Sequence, residues 1–395
     1  MTREEKAPSL SEELESLLRV LPGPIREVVE RHPGTSEISL LLGRPLVLSF
    51  GGKGNFIEFH DLVVDQRHIE HLTTRLSALK DDGRAGIDRT AHRISVIRDR
   101  LNNVIGLTVR IGRFIPVLTE EEKSLILSTG GSLLVIGAPE SGKTTLLRNI
   151  VAILAEEYGP NLSVIDTSNE IGGLGQVPHP SLKTARWHQV RDPKEQPVVI
   201  RRAIANHAPQ VLVLDEIGYN EDVEEVEAAA RRGIRVIASV HGLDLADILE
   251  NPRYAPLLGR PDLEKRVRIY RPAFKAAIEV RAKGKMFFIP NLARAIDLTL
   301  VGGKPEGHRL GPNWKEDEPD YPEDWGLTQT VLPSRPESVV ARHLVRGSQK
   351  LKELCEAEGM NEASVTRLVL LALAGNKVAQ KKVELYSQAL QGEAP

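Results

Sequence analysis

One glycine-rich stretch restricts the fold of this chain more than any other part of its sequence. Residues 137–144 read GAPESGKT and fit the pattern G-x-x-x-x-G-K-[ST]. SLLVIG over 132–137 predicts a buried strand directly before the stretch, and residues 143–158 have the apolar spacing of a helix directly after it. A strand that leads into a helix through such a loop is typical of a P-loop, the phosphate-binding element of many α/β proteins.

Each residue type in this loop has a chemical reason. The glycines let the backbone curl until several N–H groups point at one phosphate pair, and the start of the helix adds its positive dipole end. Lys143 supplies a mobile cation for the β- and γ-phosphates, and the Thr144 hydroxyl can bind Mg²⁺. The alternative is a glycine turn that binds no ligand. The predicted nucleotide-binding residues are Gly137, Ala138, Pro139, Glu140, Ser141, Gly142, Lys143, Thr144 and Thr145.

Two adjacent acids, Asp215 and Glu216, follow the apolar run VLVL that begins at residue 211. An acid at such a strand end can hold Mg²⁺ through water, and a second acid beside it can orient and deprotonate an attacking water. The pair therefore favours hydrolysis over phosphoryl transfer to a small molecule. The alternative is that the two acids only cap an exposed strand end.

Two further polar residues follow predicted strands, where ligands collect in parallel sheets. His241 ends the pattern IRVIASV over 234–240 and could sense a γ-phosphate, or it could merely satisfy backbone groups. Glu170 comes just after LSVIDT over 162–167 and could be a second water-positioning acid, or a plain loop carboxylate.

Basic residues cluster in two places. A predicted hairpin around Asn102 and Asn103 carries Arg93, Arg98, Arg100, Arg110 and Arg113. Either these side chains form a solvated strand face, or some of them reach a γ-phosphate, in the same chain or in a neighbour, as arginine fingers. A second stripe consists of Lys265, Arg266, Arg268 and Arg271, and it reads as a surface face or as a nucleic-acid contact.

Strands that alternate with helices after residue 120 predict an α/β core with a parallel sheet. The expected organisation is a disordered start over 1–8, an N-terminal α+β domain over 9–119, and a P-loop core over 120–302 that ends in a hairpin and a helix. Residues 303–336 are rich in proline, glycine and acids and predict a linker, and 337–395 predict a helical tail.

Composition limits the classes of function. The net charge of −2 does not favour general binding to polyanions. A single cysteine, Cys355, excludes an internal disulfide and every zinc site with several cysteines. No apolar run approaches the roughly 18 residues of a membrane span, and the first residues are polar and acidic, unlike a secretory signal. We therefore expect a cytoplasmic protein without a transmembrane segment.

Five segments together resemble the stage III sporulation protein AA family, with a closer match to its cyanobacterial and plastid members. They are HRISVIRDRLNNVIGLTVRIGR, GAPESGKTT, VIDTSNEIGGLGQVPHP, NHAPQVLVLDEIG and SVHGLDLADILENP. The resemblance covers about residues 12–303. The family is similar to the secretion and pilus traffic ATPases. The resemblance therefore implies a RecA-like P-loop ATPase core, ATP with Mg²⁺, assembly into a homo-hexamer and an unidentified protein partner.

The resemblance also implies individual roles. Lys143 and Thr144 match the Walker A pair, and Asp215 and Glu216 match the Walker B acids. Glu170 matches the acid that secretion ATPases carry after their second core strand. Arg110 and Arg113 fall where those ATPases present arginines from the N-terminal domain to the nucleotide.

The chain departs from the family in two basic regions and in its tail. PDLEKRVRIYRPAFK is shorter than the usual arginine-rich segment, and LKTARWHQV replaces a more basic version. Residues 337–395 lack the Arg-x-x-x-His pattern of the nucleic-acid-binding domain that several relatives carry. The leading hypothesis is thus a hexameric ATPase that acts on a protein partner. The alternative is a nucleotide-gated binder of single-stranded DNA or RNA.

Overall fold

The structure is a computed structural model and describes residues 10–75, 83–322 and 325–327. The predictions of a disordered start over 1–8 and of a helical tail over 337–395 lie outside the described residues. Among the described residues, no helix is long and apolar enough to cross a membrane.

The N-terminal part is a six-stranded antiparallel sheet in the order β3-β2-β1-β6-β5-β4, with helices on one face. The helices are α1 Leu10–Val20, α2 Gly23–Glu30 and α3 Gln66–Thr73, and the strands are β1 Glu37–Leu41, β2 Pro45–Ser49, β3 Phe56–Val63, β4 Arg84–Gly86, β5 Arg93–Arg98 and β6 Val104–Arg110. Alternate apolar residues such as Ile38, Leu48 and Val109 are buried against the helices. The residues between them point to the opposite face, as the strand period of two requires. The predicted hairpin around Asn102 and Asn103 is confirmed as β5 and β6.

The second part is an eight-stranded sheet in the order β16-β15-β14-β7-β11-β10-β8-β9, and it is parallel from β14 to β9. Its helices are α4 Glu120–Ser128, α5 Lys143–Tyr158, α6 Gln196–His207, α7 Asn220–Arg231, α8 Leu245–Glu250 and α9 Leu292–Leu300. Its strands are β7 Leu133–Gly137, β8 Leu162–Asp166, β9 Arg186–Gln189, β10 Val211–Leu214, β11 Arg235–His241, β14 Ala276–Ala282, β15 Lys285–Ile289 and β16 His308–Leu310, and a separate pair comprises β12 Pro261–Asp262 and β13 Val267–Arg268.

Each face of this sheet has its own apolar core. Helices α4 and α5 cover one face, and α6 to α9 cover the other. The parallel sheet predicted from the sequence is therefore confirmed, and its strand order sets β7, β11, β10 and β8 side by side. Because the carboxyl ends of parallel strands meet at one edge, this order brings the ends of those four strands together.

The prediction of a linker over 303–336 is wrong for the residues that the structure describes. Strand β16 pairs with β15 at the edge of the large sheet. Tyr321 is only 2% exposed, and its hydroxyl donates to Glu279 Oε2 at 3.0 Å. Trp325 Nε1 donates to Asp244 Oδ2 at 2.6 Å. The composition of this segment did not predict the packing, because a few aromatic rings can bury a large apolar area even in a segment that is mostly polar.

The two parts are joined through the loop that follows β8. Glu13 of α1 is buried and accepts hydrogen bonds from His179 Nε2 at 2.6 Å and from the Phe114 backbone N–H at 3.1 Å. Asp88 Oδ1 accepts from the backbone N–H groups of Gln176 and Val177 at 2.6 and 3.1 Å. These contacts fix the N-terminal sheet beside the loop that carries Glu170.

Candidate nucleotide-binding site

The predicted phosphate loop connects β7 to α5 at the centre of the large sheet. Gly142 has φ +109°, a backbone conformation that favours glycine, and α5 begins at the next residue. Lys143 Nζ donates to the backbone oxygens of Gly137 at 2.7 Å and Ala138 at 2.9 Å. The buried Ser141 hydroxyl has no hydrogen-bond partner among the described residues. A lysine folded back on its own loop and an unpaired hydroxyl fit a loop that binds phosphate oxygens.

Glu170 lies beside the P-loop threonine. The Thr144 hydroxyl donates to Glu170 Oε2 at 2.7 Å. The Asp166 carboxylate fixes the Glu170 backbone, because Oδ1 accepts from the N–H groups of Glu170 at 3.0 Å and Ile171 at 3.2 Å. Arg148 Nε donates to the Glu170 carbonyl oxygen. The structure therefore brings this acid to the side of the site where Thr144 would bind a metal ion.

Asp215 is buried directly after β10. Its Oδ1 accepts from the Glu216 N–H at 2.9 Å, and its Oδ2 accepts from the Ser168 N–H. Burial and the neighbouring Asp166 carboxyl raise the pKa of Asp215 to about 8. Hydroxyl and carboxylate oxygens are the ligands that Mg²⁺ prefers, and a cation beside Asp215 would favour its ionised form, so Thr144 and Asp215 suit that ion.

His241 connects the P-loop lysine to Glu216. Its Nδ1 lies 3.0 Å from Lys143 Nζ, and its Nε2 lies 3.1 Å from Glu216 Oε2. Since the lysine is a donor, Nδ1 accepts and the ring proton sits on Nε2, facing the carboxylate. Burial lowers the pKa of Lys143, and the carboxylates of Glu216 and Glu170 counteract that shift. The Glu216 side chain is 38% exposed and is therefore accessible to water.

A cleft of about 740 Å³ separates the P-loop from the uncovered face of the N-terminal sheet, and we call it the interdomain cleft. From the core it is lined by Glu140, Thr144, Thr145, Arg148 and Glu170, and from the N-terminal sheet by Glu37, Ser49, Phe56, Arg93 and Arg110. A nucleotide held by the P-loop would extend into this space.

The structure separates the two arginines that the sequence placed together. Arg110 lines the cleft, where its Nε lies 3.1 Å from Glu37 Oε2. Arg113 does not line the cleft; its guanidinium donates to the backbone oxygens of Pro33 at 2.6 Å and Thr35 at 2.8 Å. These contacts hold the Arg113 side chain against the loop before β1. A role for Arg113 at a nucleotide of the same chain or of a neighbour stays a prediction.

Sequence reasoning did not single out Arg93 as a member of this site. Arg93 pairs directly with Arg110 across β5 and β6 and lines the same cleft. Its Nε is buried and has no hydrogen-bond partner among the described residues, and burial lowers the pKa of its guanidinium. The alternation of basic residues in the hairpin contained this signal, but only the strand register selects the pair.

The second basic stripe is partly neutralised. Lys265 Nζ lies 2.8 Å from Asp262 Oδ2, and Arg268 Nη2 lies 2.9 Å from Asp297 Oδ2. Lys265 and Arg268 thus have carboxylate partners, which weakens the case for a nucleic-acid contact at this surface.

The sequence relatives agree with this architecture. A family model described as sporulation stage III, protein AA, matches residues 92–273. The ycf45 protein of Cyanidium caldarium is 31% identical over 312 residues, which cover 73% of this chain and 91% of the relative. The chain belongs to the family of the ycf45 proteins.

Two other relatives are much longer than the region that they share with this chain. The ycf45 protein of Porphyra purpurea is 32% identical over 75% of this chain and 55% of its own length. The Arabidopsis thaliana protein SEEDLING PLASTID DEVELOPMENT 1 is 35% identical over 73% of this chain and 45% of its own length. The chain thus spans about half the length of these two curated relatives.

Two solved structures are similar at low identity. The Legionella pneumophila ATPase DotB matches with 15% identity and a TM-score of 0.44, over 72% of this chain and 79% of DotB. The pilus retraction motor PilT with bound ADP matches with 17% identity and a TM-score of 0.44, over 67% of this chain and 77% of PilT.

Proposed function

We propose that this chain binds ATP with Mg²⁺ and hydrolyses the β–γ phosphoanhydride. The observation that carries the proposal is the convergence of the P-loop lysine and threonine with three acids and a histidine at one edge of the parallel sheet. These residues are Lys143, Thr144, Glu170, Asp215, Glu216 and His241. A metal ion held by Thr144 and Asp215 would neutralise phosphate charge and leave the protein groups to position the reactants.

Glu216 is the base in this proposal. It is exposed to water, and its contact with His241 connects it to the lysine that would hold the γ-phosphate. Glu170 contacts the Thr144 hydroxyl instead, so its place is beside the metal. When phosphate binds, Lys143 would exchange its two loop carbonyls for phosphate oxygens. His241 would then lose its contact with Lys143, and its contact with Glu216 would change when phosphate binds.

Arg93 and Arg110 would stabilise charge that develops on the transferred phosphoryl group. Both project from the N-terminal sheet into the interdomain cleft. Arg110 donates its Nε–H to Glu37, which leaves its terminal N–H groups for an anion. Arg93 has an Nε–H without a partner among the described residues, so it too can bind an anion. This arrangement would couple occupancy of the P-loop to the position of the N-terminal part.

We further infer a homo-hexameric ring that acts on a protein partner. The support is the sequence resemblance to secretion and pilus traffic ATPases. The partly neutralised basic stripe makes the nucleic-acid alternative less attractive. Binding of labelled single strands at low salt, with a steep loss of affinity as salt rises, would favour that alternative.

The decisive experiment measures phosphate release with ATP and Mg²⁺ while light scattering reports mass. The variants are Lys143→Ala, Glu216→Gln and Glu170→Gln. We expect Lys143→Ala to lose ATP binding, and Glu216→Gln to bind ATP without turnover in a large assembly. Equal turnover in the wild type and Glu216→Gln would move the base to Glu170. A wild type that binds ATP as a monomer and never hydrolyses it would contradict the ring ATPase.

A further inference from the structure

One register row of the N-terminal sheet forms a wall of the interdomain cleft. Across β3, β2, β1, β6 and β5, the paired residues are Phe56, Ser49, Glu37, Arg110 and Arg93. Residues directly paired in an antiparallel sheet point to the same face. All five side chains line the cleft, on the face opposite the helices α1 to α3.

This wall has a cationic end and an aromatic end. Arg93 and Arg110 lie at one end, and Phe56 lies at the other, three strands away from Arg110. At a strand spacing of about 4.8 Å, the backbone of Phe56 is about 14 Å from the backbone of Arg110. A nucleoside triphosphate has the matching polarity, because its anionic phosphates and its flat aromatic base lie at opposite ends.

Phe56 is conspicuous because it is a large aromatic side chain that the fold leaves 52% exposed. It follows a turn whose glycines also line the cleft. Gly52 and Gly54 have φ of +81° and +77°, and a Cβ built on either would meet nothing within 4 Å. These glycines therefore shape the turn before Phe56 and leave open space on the cleft side of that turn.

Asn55 lies between this turn and Phe56 and lines the same space. Its side-chain amide carries both a donor and an acceptor, which suit the polar edge of a base. The core side of the cleft is lined by Thr144 and Thr145 at the start of α5. For a nucleotide anchored there by its phosphates, the cleft toward the N-terminal sheet is the space open to the ribose and base.

We propose that Phe56 stacks on the nucleobase of the nucleotide bound at the P-loop, with Asn55 at the edge of the base. This inference rests on the proposed ATP binding. Every nucleobase offers a flat π-face, so stacking on Phe56 contributes affinity with little discrimination among bases. Any preference for ATP over GTP would come from the Asn55 amide.

The test compares a ligand that has a base with one that has none. Calorimetric titrations of the full chain with Mg-ATP and with magnesium tripolyphosphate are made on the wild type, Phe56→Ala, Phe56→Trp, Ile57→Ala and Lys143→Ala. Ile57 is the matched control, because it is exposed on the same strand and points to the opposite sheet face. We expect Phe56→Ala to bind ATP about tenfold more weakly and tripolyphosphate unchanged. Phe56→Trp should restore ATP affinity, and Ile57→Ala should behave as the wild type.

Other outcomes separate this inference from the function on which it rests. If Phe56→Ala binds ATP as tightly as the wild type, or loses both ligands equally, the stacking role is wrong. If Lys143→Ala keeps wild-type affinity for both ligands, the P-loop proposal itself fails. Light scattering on Phe56→Ala adds a further criterion: a loss of assembly with unchanged ATP affinity would assign the exposed ring to a contact between copies and overturn the base contact.

Discussion

At the scale of single residues, the buried Asp166 organises the loop that presents Glu170. Its two oxygens accept from three backbone N–H groups of the loop and from Trp187 Nε1. Burial raises the pKa of this carboxyl, and the hydrogen bonds counteract that rise. Asp166 has no place in the chemistry itself, so it is a positioning residue.

We expect Asp166→Asn to reduce turnover more than it reduces affinity for ATP. An asparagine has one acceptor oxygen, so part of the loop's N–H groups lose their partner and Glu170 shifts. Phosphate-release kinetics should show kcat reduced about tenfold or more, with a cost in unfolding free energy of about 1–3 kcal/mol. Glu156→Gln, a change at an exposed acid of α5, is the control. A variant with normal kcat and only lower stability would show that Asp166 is merely structural.

The two arginines at the end of β6 give a contrasting pair. We expect Arg110→Gln to slow turnover at saturating ATP, because the cleft loses a cation that would stabilise charge on the transferred phosphoryl group. Arg113→Gln removes two hydrogen bonds to backbone oxygens, so it should lower the unfolding free energy by about 1–3 kcal/mol and leave kcat of the folded fraction nearly unchanged. Urea denaturation and phosphate release on the same preparations measure both effects. The reverse pattern would return the arginine-finger role to Arg113.

At the scale of elements, the loop after β8 is shaped by the N-terminal part that lies against it. A Cβ at Gly173 would lie 2.2 Å from the Thr90 backbone oxygen. The glycines of the IGGLG segment therefore permit close contact between two backbones. His92 belongs to the same junction, where its Nε2 lies 2.8 Å from the Glu13 backbone oxygen.

This junction should make the stability depend on pH. Burial lowers the pKa of His92, with Arg113 and His179 adding to the shift and Glu13 opposing it. Below the ordinary histidine pKa of about 6.5, His92 is protonated in the unfolded chain and neutral in the folded chain. The free energy of unfolding therefore falls as the pH falls from about 6.5 toward the lower pKa of the folded state.

We expect His92→Gln to flatten the dependence of Tm on pH between about 7 and 5, because glutamine keeps a donor and cannot titrate. His60→Gln on β3, where the side chain is 75% exposed, should leave the slope unchanged. Identical slopes in the wild type and His92→Gln would contradict a neutral buried His92.

At the scale of the whole molecule, the segment after α9 completes the large sheet and packs on it. The rings of Tyr321 and Trp325 lie 4.3 Å apart, and the guanidinium of Arg281 lies 4.3 Å from the centre of the Tyr321 ring. Through Asp244, Trp325 also contacts the cap of α8, the helix that follows His241. The last described residues thus pack against the start of the helix that follows His241.

We expect Trp325→Ala to lower the unfolding free energy by about 2–4 kcal/mol, because a packed ring and its hydrogen bond are lost together. Urea denaturation measures the change, and Phe56→Ala, at an exposed ring, should cost far less. A neutral Trp325→Ala would revive the interpretation of this segment as a linker.

Local pattern determined a large part of this protein. The bounds of α5 follow the predicted range 143–158, because apolar spacing and the glycine that follows the helix act over a few residues. The chemistry expected of Lys143, Thr144, Asp215 and Glu216 follows from residue types at short spacing. Periodicity also predicted the parallel sheet, but it missed the short strand β9, which lies at the edge of the sheet that the described residues form and pairs with β8.

Tertiary structure decided whatever depends on register and on contacts across long sequence distances. Strand pairing placed Arg93 beside Arg110 and Phe56 in the same row, whereas the Arg113 guanidinium donates to the backbone of the loop before β1. The packing of Tyr321 and Trp325 turned a segment with the composition of a linker into part of the core. A sequence pattern specifies a side chain's chemistry and its local backbone. Which distant side chains share a cleft depends on how the strands pair, and that is settled only when the whole sheet assembles.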